Sequence, residues 1–318
     1  MIKFLPIFKH YNVNYVINNS YSSDVSIAFE ILKNILKFKT ITYQYSFMRE
    51  INPIMSSVSD YMLIFSPYFK KIFLNKYSSP RKLIYSGYLY SSYIKILKKK
   101  INYYKKKFKL KNKFVITYFD ENCSESMWSL TSKEEMTKEY EILSNFVLEN
   151  KDIVIVTKVQ FYKNLARFFQ TNEIIRRAFK TKRFVELFDD NLNLYLKNNT
   201  SLWMKRNNVL PMMGSLISDI SISKKYGATT SIETAILNKR NIMINEKGYK
   251  DHLDKHYKKN IEFKNISKAL KRILIYKKNI RQNKKDNLGS WRFIINKLIQ
   301  IKYYDKNNFV NNIRQIFK

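Results

Sequence analysis

The chain has a single cysteine, Cys123, so it can form no internal disulfide and no zinc site built on several thiolates. Glycine and proline are scarce, five of each in 318 residues, so each one says something about where the backbone turns. Acids are few as well: 25 Asp and Glu stand against 59 Lys and Arg, a formal net charge of +34. No apolar run approaches the ~20 residues needed to span a bilayer. The opening Met1-Ile2-Lys3-Phe4-Leu5-Pro6 lacks the long apolar core and small-residue cleavage site of a signal peptide. These absences lead us to expect a cytoplasmic location, with the inner face of a membrane as a further station.

What is present is enough for a core. Hydrophobic residues make up 45% of the chain, and its length allows two α/β domains, or one domain with helical additions. The charge has two readings. It suits a polyanionic partner. It also accompanies an abundance of Lys, Asn, Ile, Tyr and Phe, residues favoured by AT-rich codons. Composition is the plainer account, so no specific nucleic acid is expected.

Along the chain, short β-branched or aromatic runs alternate with helical periodicity. Residues 24–36 read as a helix, with Ala28, Ile31, Leu32 and Ile35 at helical spacing and Asp24 as cap. Strands are expected at 40–45, 60–65 and 82–85, with a helix start at Pro67 and a stop at Gly87. Residues 95–113 carry ten lysines interleaved with Ile, Tyr and Phe. They read as a solvated helix joining two domains, as a basic amphipathic face touching anionic lipid, or as both. From 114 the pattern is strand (114–119), loop, a helix opened by a Thr131/Glu134 capping box, then the apolar strand Ile153-Val154-Ile155-Val156. Further strands are expected at 184–188, with its turn at Asp189, Asp190 and Asn191, at 219–223 and at 241–244, with a short helix at 230–237. This is a doubly wound α/β pattern. From 264 onward the sequence is helical and basic, a tail that packs back or extends.

The densest chemistry lies between Asp219 and Ile244. A strand runs into a loop of small and hydroxyl residues, and the loop opens a helix. Free N–H groups at a helix start suit phosphate. Thr229, Thr230 and Ser231 add hydroxyls, Gly227 allows close approach, and Glu233 suits a ribose diol. The plainer reading makes Thr229 an ordinary cap with Glu233 as its capping partner. His252 and His256, with Asp251 and Asp254 nearby, have helical spacing, but lysines surround them and a third ligand is not evident, so no metal is expected.

This stretch resembles the donor-binding segment of GT-B glycosyltransferases: an aspartate, an apolar strand, small and hydroxyl residues, a glutamate, a small-apolar helix and another strand. The resemblance implies Glu233 as the ribose ligand and Thr229, Thr230 and Ser231 as diphosphate contacts. Two other stretches resemble surface-carbohydrate biosynthesis proteins of the same type. One runs from Tyr118-Phe119-Asp120-Glu121 to Ile153-Val154-Ile155-Val156-Thr157-Lys158, where a lysine follows the second strand as in those relatives. The other covers Tyr21 to Asp24, Lys39 to Ser46 and Ser59 to Ile64. The likeness spans residues 20–245.

It implies an α/β fold of two Rossmann-like domains of GT-B type, the N-terminal one incomplete, with a basic helical C-terminal tail. The boundaries expected are 1–94 for the acceptor-side domain, 95–113 for a basic connecting segment, 114–250 for the nucleotide-sugar domain and 251–318 for the tail. The implied activity is transfer of a sugar from a nucleotide-sugar to a surface polysaccharide or lipid-linked glycan, with epimerisation of a nucleotide-sugar, or non-enzymatic binding of nucleic acid or anionic membrane, as alternatives. No cofactor is implied. Lys158 is the candidate cation for the leaving diphosphate, with a solvated strand-end lysine as the plain alternative. No catalytic base stands out: some relatives carry His-Gly where this chain has Tyr45-Ser46. Asp24 and Glu50 are the weak candidates, each with a plainer role, as a helix cap and as a surface partner of Arg49.

Overall fold

A computed structural model describes residues 5–18, 24–44, 46–47, 58–74, 80–121, 123, 131–159, 162–187, 209–225, 229–251, 253–257, 260–299, 314 and 316. Two compact units emerge. The first comprises Met1–Tyr93, Asp251–Leu253 and Phe293–Lys318, the second Ile94–Lys250 and Asp254–Arg292.

The first unit is a four-stranded parallel sheet in the order β1-β2-β3-β4. The helix α1 (Leu5–His10) leads to β1 (Tyr15–Asn18), and α2 (Asp24–Leu36) crosses over to β2 (Lys39–Tyr43). β3 (Tyr61–Ile64) and β4 (Lys82–Tyr85) follow, with a 3-10 turn at Pro67–Phe69 and the single-turn α3 (Lys70–Phe73) between them. Proline starts that turn because it has no N–H to leave unpaired there. Val16, Phe29, Leu32 and Phe38 form one core cluster, and Ile41, Leu63, Ile84 and Ile316 another.

The second unit opens with the basic α4 (Ile94–Lys107) and has a six-stranded parallel sheet in the order β10-β9-β8-β5-β6-β7. Its elements are β5 (Phe114–Phe119), α5 (Lys133–Glu149), β6 (Ile153–Lys158), α6 (Tyr162–Thr171), α7 (Glu173–Lys180), β7 (Phe184–Glu186), α8 (Pro211–Ile217), β8 (Ile220–Lys224), α9 (Thr229–Ile236), β9 (Asn241–Ile244), β10 (Glu262–Phe263) and α10 (Ile266–Arg281). β5, β6, β8 and β9 are buried at every position, as strands covered on both faces must be.

The two faces of that sheet differ. Ile116, Tyr118, Ile155, Ile222 and Ile242 face α5, α7 and α10 in a large apolar core. The alternate residues face α8 and α9 and are smaller and more polar. Thr117 donates to the carbonyl of Gly214 at 2.8 Å, and Thr234 reaches Ser215 at 2.6 Å and Ser221 at 3.4 Å. Glycine is needed at 214: a Cβ there would lie 2.7 Å from Thr117 Cγ2.

Several expectations shift. The capping box sits one residue later: Ser132 Oγ accepts from the Glu135 N–H at 3.1 Å, and the Glu135 carboxylate accepts from the Ser132 N–H at 2.9 Å. Thr131 stands one residue before the cap and is buried, at 2% exposure. The strand expected at 40–45 runs from Lys39 to Tyr43, and the one at 60–65 from Tyr61 to Ile64. The strand expected at 184–188 runs from Phe184 to Glu186, and its turn at Asp189, Asp190 and Asn191 lies outside the described residues. β1 and β10 have no counterpart among the strands expected from the sequence. α10 packs back: Ile266, Ala269, Leu270 and Ile273 join the apolar core of the second unit.

Candidate functional site

In the second unit the chain enters the sheet at β5, adds β6 and β7 on one side, then returns to the other side of β5 for β8, β9 and β10. The direction of winding reverses between β5 and β8. In such sheets the loops leaving the two strands part at this point and open a crevice at the carboxyl edge. All strands are parallel, so the residues at their C-terminal ends share that edge.

Four ionisable groups interact there: Asp120 just after β5, Lys158 at the end of β6, Glu186 at the end of β7, and Glu233 on α9. Lys158 is 8% exposed and donates to the Val159 carbonyl at 3.0 Å. Burial brings its ammonium down to about 8, although the carboxylates of Asp120, Glu186 and Glu233 pull the other way. Burial and the Asp120 charge push Glu186 up to about 8, against the pull of Lys158. Glu186 Oε1 is buried without a hydrogen-bond partner, which also favours the protonated acid. The Tyr140 hydroxyl donates to Asp120 Oδ2 at 3.1 Å and accepts from Thr157 at 2.7 Å. Burial, with Asp120 beside it, holds that phenol well above its usual range.

The residues singled out from sequence divide. Lys158 and Glu233 come together. Thr229 and Thr230 open α9 and are half-buried, while Glu233 is 4% exposed. Ser231 is fully buried and turned inward: Ser223 donates to Asn241 Oδ1 at 3.1 Å, which leaves the Ser231 hydroxyl to donate to Ser223 at 2.7 Å. That hydroxyl fastens α9 to β8, and what Ser231 has left to present is its backbone N–H. Gly227 and Glu50 lie outside the described residues, and Asp24 begins α2 in the first unit with no side chain described. His252 also lies outside them, and Asp254 pairs with Lys225. Among the described residues no group of three His, Cys, Asp or Glu gathers as metal ligands.

Sequence reasoning passed over Asp120, Glu186 and Tyr140 as site residues. Their available signal was position: Asp120 and Glu186 stand at the C-terminal ends of apolar strands, where an acid is not needed for packing. A second group lies beside them. Lys224 ends β8 at the winding reversal and Lys225 follows it, both buried. Lys224 pairs with Glu139, which also accepts from the Tyr118 hydroxyl, and lies 3.6 Å from Glu246. Lys225 pairs with Asp254 and, at 2.8 Å, with Glu262, and sits 5.0 Å from the Tyr257 ring.

No protein-family model matches the sequence, and no curated protein matches it. Solved structures do match in fold. A putative UDP-N-acetylglucosamine 2-epimerase from Listeria monocytogenes aligns with a TM-score of 0.57 at 10% identity, over 98% of this chain and 75% of that one. The UDP-GlcNAc 2-epimerase from Neisseria meningitidis, bound to UDP-GlcNAc, aligns with a TM-score of 0.55 at 10% identity, over 99% and 78%. S. aureus MnaA, in a co-structure with UDP, aligns with a TM-score of 0.53 at 10% identity, over 99% and 78%. The chain is therefore an α/β protein of two Rossmann-like units of the GT-B type.

Proposed function

We propose that the second unit binds a nucleoside diphosphate sugar at the carboxyl edge of its sheet and that the protein transfers the sugar to a surface polysaccharide or lipid-linked glycan. The observation that carries this reading is the meeting of Lys158 and Glu233 beside the start of α9, at the strand-order reversal. The first N–H groups of α9, with the hydroxyls of Thr229 and Thr230, take the diphosphate; Gly227 allows the loop before them to approach it closely. Glu233 accepts from the ribose diol. Lys158 compensates the charge that grows on the diphosphate as the C1–O bond breaks. The acceptor oxygen bonds to C1, and its proton passes to a carboxylate. The Asp120 and Glu186 carboxyls, one of them ready to hold a proton near neutrality, are the pair at this edge suited to that step. No metal or cofactor enters this scheme.

A second reading, epimerisation of the same nucleotide-sugar, is favoured by the fold neighbours, which are UDP-GlcNAc 2-epimerases by name. The same carboxyl pair then exchanges a proton with sugar carbon, and no acceptor is used. Mass spectrometry and NMR of the sugar with and without a glycan acceptor separate the two readings.

Binding itself is tested by calorimetry with UDP-, GDP- and CMP-sugars. One nucleotide class is expected to bind, and Glu233→Ala to weaken it at least about tenfold, roughly 1.4 kcal/mol. Unchanged affinity in a variant that melts like the parent removes Glu233 from the site.

A further inference from the structure

α4 shows two unlike sides. Leu97 and Tyr104 are buried against the second unit, where α4 packs on α8, and Phe108 just past its end is 7% exposed. On one flank of its outer face, about 100° round the helix from that buried line, Ile96 is 53% exposed and Tyr103 50%. They stand seven residues apart, two helical turns, and so lie on one line along the helix. Lys99 and Lys100 flank that line, Lys95 and Lys106 stand further round the same outer face, and Lys98 and Lys105 are exposed on its opposite flank. Tyr93, in the turn before α4, is 46% exposed.

The charge here is of one sign. Residues 95–113 contain ten lysines, no arginine and no acid, and no Asp or Glu occurs between Asp60 and Asp120. The other long basic helix differs. On α10, Lys277 and Arg281 both meet Asp152, and Arg272 meets Asp286. A uniform excess of lysine across the chain does not account for this contrast.

We infer that the outer face of α4 docks on an anionic lipid bilayer. Lysine ammoniums meet lipid phosphates while their aliphatic stems lie along the interface. Ile96 and Tyr103 enter the headgroup layer, which is how an interfacial helix adds apolar burial to charge. Nucleic acid fits this face less well. Isoleucine gives bases nothing to stack on, a lone tyrosine line is no platform, and the bidentate phosphate fork of arginine is missing. The inference does not rest on the nucleotide-sugar reading and survives its failure.

The test is co-sedimentation of the full chain with vesicles of phosphatidylcholine alone and with about a third phosphatidylglycerol, at several salt concentrations. Binding is expected to the anionic vesicles only and to weaken with salt. Lys99→Glu with Lys106→Glu is expected to weaken it more than about tenfold. Ile96→Asn with Tyr103→Ser, which leaves the charge unchanged, is expected to weaken it severalfold. These side chains are exposed, and unchanged thermal melts confirm the fold. Lys271→Glu with Lys278→Glu on α10 makes the same charge change elsewhere and is expected to leave most binding intact. An equal loss from the α10 pair, or no loss from the uncharged pair, overturns the inference in favour of diffuse charge attraction. Tighter binding to a single-stranded RNA oligomer than to the vesicles, abolished by Tyr103→Ser, overturns it in favour of nucleic acid.

Discussion

The two sheets are both wholly parallel, yet only one has a place for a ligand written into its order. The first unit lays its strands side by side in sequence, β1-β2-β3-β4, so its winding never reverses. The second starts in the middle and reverses between β5 and β8. Their ionisable groups follow the same division. In the first unit Asp60 lies just before β3, at the amino edge, and accepts from the Thr40 N–H at 2.9 Å and its hydroxyl at 3.1 Å, with Lys33 at 3.4 Å. In the second unit Asp120, Lys158 and Glu186 lie at the carboxyl edge, and the Glu186 acid is left with a buried oxygen that bonds nothing. Asp60, at the amino edge of the first sheet, is a fastener with its valences filled; Glu186, at the carboxyl edge of the second, is a group kept ready.

The comparison is broken most strongly at Lys224, 3% exposed and paired with Glu139. It is a fastener within the second unit, beside the proposed site. Lys224→Met leaves the Glu139 carboxylate buried with only Tyr118, and is expected to cost about 3–5 kcal/mol of stability in urea titrations. Lys224→Met with Glu139→Leu is expected to recover most of that loss, because both charges are then gone. No recovery would mean that the pair serves packing alone. Next in size is Gly214→Ala. The new Cβ would press on Thr117 Cγ2 at 2.7 Å and on Phe119 at 3.3 Å, forcing α8 away from β5. A loss of about 1–3 kcal/mol is expected, with hydrogen exchange rising in β5 and β8 and staying level in β2 and β3.

Asp60→Asn probes the fastener of the first unit. Burial alone would raise this acid, but the Thr40 N–H, the Lys33 charge and the Thr40 hydroxyl outweigh it and hold it below its usual 3.8. A carboxyl lowered by folding stabilises the native state above the unfolded value and loses that contribution as pH falls through the folded one. The variant is expected to cost about 1–2 kcal/mol at neutral pH and to melt with a shallower dependence on pH below 4. An acid limb as steep as the parent's would assign the acid sensitivity to another carboxylate.

The same physics decides what could be read in the sequence. Ile153-Val154-Ile155-Val156 announces β6 because a strand covered on both faces has no polar position to blur it. β1 and β10 pass unnoticed because Tyr15 to Asn18 sits among asparagines and β10 has two residues; pairing with β2 and β9 creates them. The capping box slips by one because Thr131 and Ser132 each precede a glutamate at the right spacing, and that spacing alone does not say which of them the helix starts from. At the site, the run from Thr229 to Glu233 is visible because it is continuous in the chain. The direction of the Ser231 hydroxyl is not, since it depends on how α9 is rotated against β8. Nor is the meeting of Asp120 with Glu186, which the order of strands brings about over a long stretch of chain.

The smallest expected effect is the one that sharpens the contrast between fastener and ready group. Glu186 rises from 4.5 to about 8 on folding, so between these values the native state holds a proton that the unfolded chain has released, and stability falls as pH rises. Lys158 drops from 10.5 to about 8, so above that point the unfolded chain holds the extra proton, and stability climbs again. The second unit is therefore expected to have a shallow stability minimum near pH 8, opposite in sense to the acid limb that Asp60 gives the first. The drift amounts to a few degrees in Tm, on the order of 1 kcal/mol, since Lys158 and Asp120 act on Glu186 in opposite directions. In differential scanning fluorimetry across pH, Glu186→Gln should flatten the descending side and Lys158→Met the ascending side. A minimum that persists in both variants would show that neither group changes its proton on folding, and the carboxyl edge of this sheet would then be as fully fastened as the amino edge of the other.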